Sequence, residues 1–383
     1  MLQVAKSKSK LFLQGLFISS LGSTTFMISI LTFLPKLGLS PFVIGLIIGT
    51  SRIISVLTNF FFGPIGDKLN PRKIILISEF GAMLSSLMLF WLSFSLTNDS
   101  YFYFIFAIVI RAFFTGIQQA SVQKYGKHFD ERLNLQGSFS KKLNQVTFGS
   151  IFFAMIINLI AIKKLTFGYI IVFDALTFLI NGFLLMFSSG KNEIEVETQK
   201  RELNILKNWK LNLKYFEVNP EIYLYDFILA IVMMGANTLN ILLLASNREL
   251  VPFASGIFGL TVWLAPIIDK KIKVSQSIWW RVISVSIVMQ IFMHDYPIII
   301  LGLSFFRNLS YWQIYNHISS NIMLQTPKEV FASVSSGRNV GINLIGASGE
   351  FWTGLQCFSF SFELLWRAGL ALFASLFKQK PKI

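Results

Sequence analysis

The sequence predicts an all-α membrane protein of twelve transmembrane helices, arranged as two six-helix repeats with both termini cytoplasmic. Three observations predict it. Of the 383 residues, 54% are hydrophobic and only 14% charged, with a mean hydropathy of +0.61. A water-soluble domain carries about 25% charged residues, so this chain has too few charges to cover itself in water. The apolar residues also fall into long runs, and Lys and Arg collect in alternate joints between those runs.

A helix needs about 20 apolar residues to cross the hydrocarbon core. Runs of that kind lie at 11–34, 41–62, 73–96, 101–121, 143–162 and 165–188, and again at 221–245, 251–268, 274–293, 296–318, 337–357 and 360–378. Lys6, Lys8 and Lys10 precede the first run, which is longer than the apolar core of a signal peptide and reads as the first span. One side of the resulting topology carries those lysines, then Lys68, Arg72 and Lys73, then the clusters at 124–142, 200–214, 270–273, 328 and 378–382. The other side has only Lys36, Lys163, Lys164 and Arg248. Basic loops stay cytoplasmic, so the asymmetry requires an even number of spans and places the chain in the cell membrane as a multi-pass protein.

The net charge of +15 is confined to these short clusters. That distribution suits a membrane surface and not a nucleic-acid-binding face. A lone cysteine, Cys357, excludes a disulfide framework, and His128, His294 and His317 have no metal-ligand spacing. No metal or cofactor is expected. There is no phosphate loop, Gly-x-Ser-x-Gly or His-Glu-x-x-His, so an enzyme is not expected either.

The domain reading is a bundle over 1–189, a cytoplasmic linker over 190–220 and a second bundle over 221–383. In the linker, Leu206, Trp209, Leu213 and Phe216 fall near one helical face. The segment reads either as an amphipathic helix on the membrane surface or as a solvated connection. An internal repeat relates the bundles. Arg111 in the fourth span corresponds to Arg307 in the tenth, and Gly63-Pro-Ile-Gly-Asp67-Lys corresponds to Ala265-Pro-Ile-Ile-Asp269-Lys. Duplicated bundles are a transporter architecture, with the substrate site between them near mid-membrane.

The joint after the second span reads Gly63-Pro-Ile-Gly66-Asp67-Lys68-Leu-Asn70-Pro71-Arg72-Lys73. It resembles the loop signature of the major facilitator superfamily, Gly-x-x-x-Asp-Arg-x-Gly-Arg-Arg/Lys. The resemblance implies the major facilitator fold and a cytoplasmic gate motif made by Gly63, Gly66, Asp67, Lys68, Arg72 and Lys73. Gly63 would let two helix ends approach, and Asp67 would meet a helix N-terminus and a basic partner. Asn70 stands where the family has glycine and is expected to tolerate a left-handed backbone; Pro71 stands where the family has a basic residue. Arg111 to Gly116 is similar to a second family motif. The stretch from Ala120 to Gly149, with Asp174 and Phe178 in the sixth span, resembles most the branch of macrolide-efflux proteins and the enterobactin exporter. Drug antiporters of the family often have Gly-Pro in the fifth span, where this chain has Gly149-Ser150.

Ionisable groups within spans are costly, about 2.5–3.5 kcal/mol each at the helix centre on insertion scales. Here they are Arg52, Glu79, Arg111, Asp174, Asp226, Arg307 and Glu350. These are the candidates for a substrate or proton pathway, with Asp174 and Glu350 first for the proton. A fixed bridge from Arg111 or Arg52 to Asp174 or Glu79 is the structural alternative, and Glu363 and Arg367 are spaced to pair along one helix. Tyr311, Trp312, Tyr315 and Asn316 are candidates to line a cavity. Gly45-xxx-Gly49 and Gly337-xxx-Gly341 have the spacing of close helix contacts.

The expected function is proton-coupled efflux of a small amphipathic or anionic molecule, such as a drug or siderophore, by a monomer. The alternatives are proton-symport uptake and a non-transporting sensor.

Overall fold

Most helices of this chain are apolar on several faces, so each must meet either another helix or lipid. The computed structural model describes residues 2–33, 41–94, 101–164, 166–187, 220, 224–232, 250–271, 274–293, 296–354, 370, 371 and 374. Their helices are α1 (Leu2–Phe33), α2 (Pro41–Lys68), α3 (Pro71–Ser93), α4 (Tyr101–Arg132), α5 (Phe139–Lys164) and α6 (Phe167–Phe187), then α7 (224–232), α8 (Leu250–Lys271), α9 (Gln276–Phe292), α10 (Pro297–Gln325) and α11 (Phe331–Gly354). A single 3-10 turn, Lys328–Val330, leads into α11. The expected linker helix, most of the twelfth span and the Glu363–Arg367 pair lie outside the described residues.

Among the described residues, six helices are long and apolar enough to cross a membrane: α1, α3, α4, α5, α6 and α8. Trp91, Phe102, Phe187 and Ile298 point outward with most of their surface exposed, as a lipid-facing side chain does. α10 has 29 residues but is not among the six. It buries Arg307, Asn308, Ser310, Gln313, Asn316 and Ser319, and that polarity marks it as a helix facing other helices.

α1 packs on α5 and α6, α3 on α4 and α6, and α2 on α4. In the later part of the chain, α10 packs on α8 and α9. Between these groups, α2 lies along α11 and α5 along α8, with further contacts from α4 to α11 and from α5 to α10. The repeat relates these two long contacts to each other. One cluster of buried residues runs through both groups, from Phe12 and Leu16 to Trp280, Trp312 and Ile318.

Several helices run further than the apolar runs. α2 continues to Lys68, α4 to Arg132 and α10 to Gln325, while α11 begins at Phe331. The extensions carry polar side chains such as Gln123, Lys124 and Ser335, so they extend past the point where an apolar run stops. Together they form what we call the basic end of the molecule.

Asn70 does not take a left-handed backbone. It has φ −66° and ψ 112° and caps α3 by accepting from the Arg72 N–H at 3.0 Å, with Pro71 at the first helical position. Proline has no N–H to lose there and its fixed φ suits a helix start, so the Asn-Pro pair is a helix-starting device in place of the family's glycine turn. Gly341 also departs from expectation, because a Cβ there would meet nothing within 4 Å.

The α4–α5 joint is held by Asp130, which is buried and accepts from the N–H groups of Gly137 (2.7 Å) and Phe139 (3.0 Å). Gly137 has φ +79°, and a Cβ there would lie 2.5 Å from the Ser320 carbonyl oxygen on α10. Both constraints require glycine. Replacing the Asp130 bonds with nothing strands two buried donors, at about 1–3 kcal/mol each. Asp130→Ala is therefore expected to lower the melting temperature of the purified protein and to open the joint to trypsin at Arg132. Unchanged proteolysis would show that the joint does not depend on Asp130.

Candidate functional site

At the basic end, the last turn of α2 meets the first turn of α11. Asp67 accepts from the backbone N–H groups of Ala332 (2.8 Å) and Ser333 (3.0 Å) and from the Ser333 hydroxyl. A helix N-terminus leaves N–H groups unpaired and carries partial positive charge, so a carboxylate satisfies both. Gly63 makes the approach possible, since a Cβ would lie 3.2 Å from the Ser333 Cα and press into the Ser336 side chain. Gly66 is not needed in the same way, because a Cβ there would make only ordinary contacts, with the Ala332 methyl at 3.6 Å and the Ser121 hydroxyl at 3.8 Å. On the other side, Lys124 of α4 donates to the carbonyls of Gly66 (2.8 Å) and Asp67 (2.6 Å), closing the C-terminus of α2.

The repeat-related contact also uses an Asp at the end of one helix, but on a lysine side chain. Asp269 in the last turn of α8 pairs with Lys141 in the first turn of α5 at 2.8 Å. Lys127 of α4 donates to the Met323 carbonyl near the end of α10, and Asn144 of α5 donates to Asn316 of α10 at 2.9 Å. Lys328 reaches Glu131 at 3.9 Å. All of these join the first six helices to the later ones. Arg72 does not: it donates to the Leu185 and Met186 carbonyls at the end of α6, inside the first group. Lys68 lies in the last turn of α2, and Lys73 is exposed on α3.

The charges buried among α1–α6 are handled in two ways. Arg111 grips Asp174 with both arms of its guanidinium at 2.9 Å, Ser86 donates to Asp174 at 2.7 Å, and the cation lies over the Phe26 and Phe178 rings at 4.4 and 5.4 Å. Glu79 of α3 is 1% exposed, and its hydrogen-bond partners among the described residues are all neutral: Ser19 at 3.1 and 3.2 Å, Gln118 and Asn181. Arg52 is partly buried on α2.

In the later group, Arg307 donates to Gln290 at 2.9 Å, so the repeat that pairs Arg111 with a carboxylate pairs Arg307 with an amide. Arg338 of α11 takes Asp226 of α7 at 2.5 and 3.0 Å, donates to Ser319 at 2.9 Å and lies over the Tyr315 ring at 4.6 Å. Glu350 is on α11, and its side chain is outside the described residues.

Between the two groups lies a polar cavity of about 20 Å³, walled by Gln123, Asn144, Tyr315, Ser319, Ser335 and Arg338 among others. That is room for about one water molecule. Of the aromatic candidates, Tyr315 is in its wall. Trp312 is fully buried deeper in, against Phe148 of α5 at 5.0 Å and Phe258 of α8 at 5.2 Å, with Tyr311 beside it. Asn316 is spent on Asn144. The sequence reading passed over Lys124, Lys127, Gln118, Asn181 and Arg338. Arg338 lies just inside the eleventh span as drawn from 337, where a cation looks like a snorkelling end residue. Its helix starts six residues earlier, so the side chain sits a turn and a half deeper.

Two outcomes follow. Removing one partner of a buried pair leaves an uncompensated charge, worth about 3–5 kcal/mol. Asp174→Asn is therefore expected to destabilise the protein by that order, and Arg111→Met with Asp174→Leu to be closer to wild type in melting temperature than either single change. Additive losses in this cycle would show that the two groups do not act as a pair. Asp67→Ala is expected to loosen the basic end. In a Cys357→Ser background, a cysteine at Ser335 should then react faster with a maleimide applied from the basic side, and an unchanged rate would remove Asp67 from the joint.

The fold is matched by the comparisons. The model of the Major Facilitator Superfamily matches residues 12–350. The fold is similar to the human organic anion transporter MFSD10 (TETRAN), with a TM-score of 0.71 and 11% identity over 97% of this chain and 98% of that one. It is similar to a bacterial homologue of the iron transporter ferroportin in an outward-facing state with soaked iron, with a TM-score of 0.67 and 12% identity over 96% of both chains. It is also similar to the proton:xylose symporter XylE bound to 6-bromo-6-deoxy-D-glucose, with a TM-score of 0.67 and 10% identity over 98% of this chain and 95% of that one. No curated protein matches the sequence. Helix packing, loop signature and family match agree, and the chain belongs to the Major Facilitator Superfamily.

Proposed function

We propose that this chain is a secondary active transporter of the cell membrane that exports a small amphipathic or anionic molecule in exchange for protons. Membership of the superfamily makes it a multi-pass membrane transporter and not an enzyme. The fuller reading is twelve spans with cytoplasmic termini, bundles over 1–189 and 221–383 joined by a linker over 190–220, and a working monomer.

The observation that carries the reading is the joint at the basic end. Asp67 on the α11 N-terminus, Lys127 on Met323, Lys141 on Asp269 and Asn144 on Asn316 are polar contacts between helix groups. Water can replace such contacts at small net cost, about 0.5–1.5 kcal/mol each, so the joint can open and reclose. That is what alternating access requires of a gate. The cavity behind it holds about one water, so the gate is shut in this state. A deeper aromatic zone around Trp312 suits an apolar body, and Arg338 in the cavity wall suits an anionic group. One structural neighbour is titled an organic anion transporter. The macrolide-efflux and enterobactin-exporter branch is favoured by Asp174, with Ala175 beside it and Phe178 beneath its arginine.

For the coupling proton, we place Glu79 ahead of Asp174. Protonating Asp174 would leave Arg111 buried without its counter-charge, which is costly. Protonating Glu79 strands no cation, because its partners Ser19, Gln118 and Asn181 are neutral. The test uses proteoliposomes with naphthalene-2-sulfonate, a permanently charged anion, and an imposed pH gradient. Wild-type protein should move the anion out of the compartment facing its basic end when the opposite side is acid. Glu79→Gln should lose gradient-driven flux to the level of empty liposomes yet retain anion exchange. Undiminished driven flux in Glu79→Gln would reject its role. Accumulation in the reverse sense would replace export by proton-symport uptake.

A further inference from the structure

Among the described residues, the wall of the inter-group cavity contains one formal charge. Gln123, Asn144, Ser319, Ser335 and Tyr315 are neutral, no described Asp or Glu takes part, and the charge is the guanidinium of Arg338. Asp226, its partner, is not in the wall. A molecule entering the cavity meets the cation first, with the carboxylate behind it. Both side chains are nearly sealed, at 8% and 5% exposure.

Arg338 uses three N–H groups, two on Asp226 and one on Ser319. A guanidinium has five, so two are left for an incoming acceptor. One face of the cation is covered by the Tyr315 ring at 4.6 Å. Tyr315 stacks on Tyr311 at 5.5 Å and meets Trp312 edge-on at 5.3 Å, which continues the aromatic surface away from the basic end. Arg338 is seven residues into α11, about 10 Å from the helix start at the helical rise, so the Asp67 joint lies directly between the site and the outside of the basic end.

We propose that Arg338 is the substrate-recognising cation of this transporter, binding the anionic group of an aryl or otherwise flat apolar anion whose body lies along Tyr315 and Trp312, and that Asp226 is an internal stand-in which occupies the guanidinium while the site is empty. Arg is suited to this because its planar fork grips carboxylate, sulfonate and phosphate through paired bonds, which a lysine cannot do. Asp226 keeps the cation paired when no ligand is present, which lowers the cost of burying it. It also competes with the ligand, so apparent affinity is reduced by the fraction of time it holds the fork. Selectivity follows from the wall: a cation of the same shape meets a like charge and finds no acidic group.

This inference rests on the transporter reading for its place in the cycle, but its test reads binding alone. Purified protein in nanodiscs is titrated with naphthalene-2-sulfonate, naphthalen-2-ol and benzyltrimethylammonium, and each variant is compared with its own ligand-free melting temperature. The sulfonate should raise the melting temperature of wild type, and the alcohol and the ammonium should not. Asp226→Asn should tighten the apparent Kd for the sulfonate by roughly tenfold. Arg338→Gln should abolish the shift, and Arg338→Lys, which keeps the charge but loses the fork, should weaken it. Ser304→Ala, on the same helix but outside the cavity wall, should leave the preference for anion over cation intact. Stabilisation by the ammonium equal to that by the sulfonate, or an unchanged response in Arg338→Gln, would overturn the assignment. Binding without flux would instead sink the transporter reading and leave the site standing, and flux of the sulfonate by Arg338→Gln at the wild-type rate would do the reverse.

Discussion

The contact on which the rest of this structure depends is the Asp67 carboxylate on the N-terminus of α11. It joins helices far apart in sequence, and it draws on the unpaired N–H groups every helix start must place somewhere. Gly63 permits the approach and Lys124 closes the other side of the α2 end. At the repeat-related place, where α8 lies along α5, Asp269 pairs instead with the Lys141 side chain. Both joints use polar contacts at the rim, where water is available to take their place.

Further in, the cost of burying charge governs the design. Three solutions coexist. Arg111 and Asp174 neutralise each other with two parallel bonds and an added hydroxyl. Glu79 is wrapped in neutral donors. Arg338 is neutralised by Asp226 from behind while still facing a cavity. The first is a strut, because changing the charge of either member exposes the other. The second can change its charge without stranding a partner. The third keeps its carboxylate partner and still lines a cavity. Difference of partner, and not of burial, separates these roles, since all three acids are nearly inaccessible.

The sequence by itself determined the broad class. Long apolar runs, few charges and one-sided lysines follow from the bilayer's intolerance of unpaired polar groups, which acts on every span independently and so leaves a linear record. The repeat of Arg111 at Arg307, and the loop signature around Asp67, were legible for the same reason: local spacing on a helix or at its end is set by neighbours in the chain. Helix ends were legible only in part. α4 and α11 extend beyond their apolar runs because polar residues at the basic end are helical too, and Asn70 caps a helix where a turn was expected.

What only the tertiary structure decided was who pairs with whom. The sequence singled out seven ionisable residues in the spans and offered Arg111 or Arg52 as partner to Asp174 or Glu79, but it did not choose among those pairings, nor say that Glu79 belongs to Ser19, Gln118 and Asn181 or that Asp226 belongs to Arg338. Those choices depend on helix rotation and on packing between segments 39 to 112 residues apart, which hydropathy does not encode. The same holds for Arg338, which looks like an end-of-span cation until the start of α11 is placed at Phe331. The sequence determined that buried charges exist and must be satisfied, and three-dimensional packing decided which of them are closed in pairs and which also line a cavity.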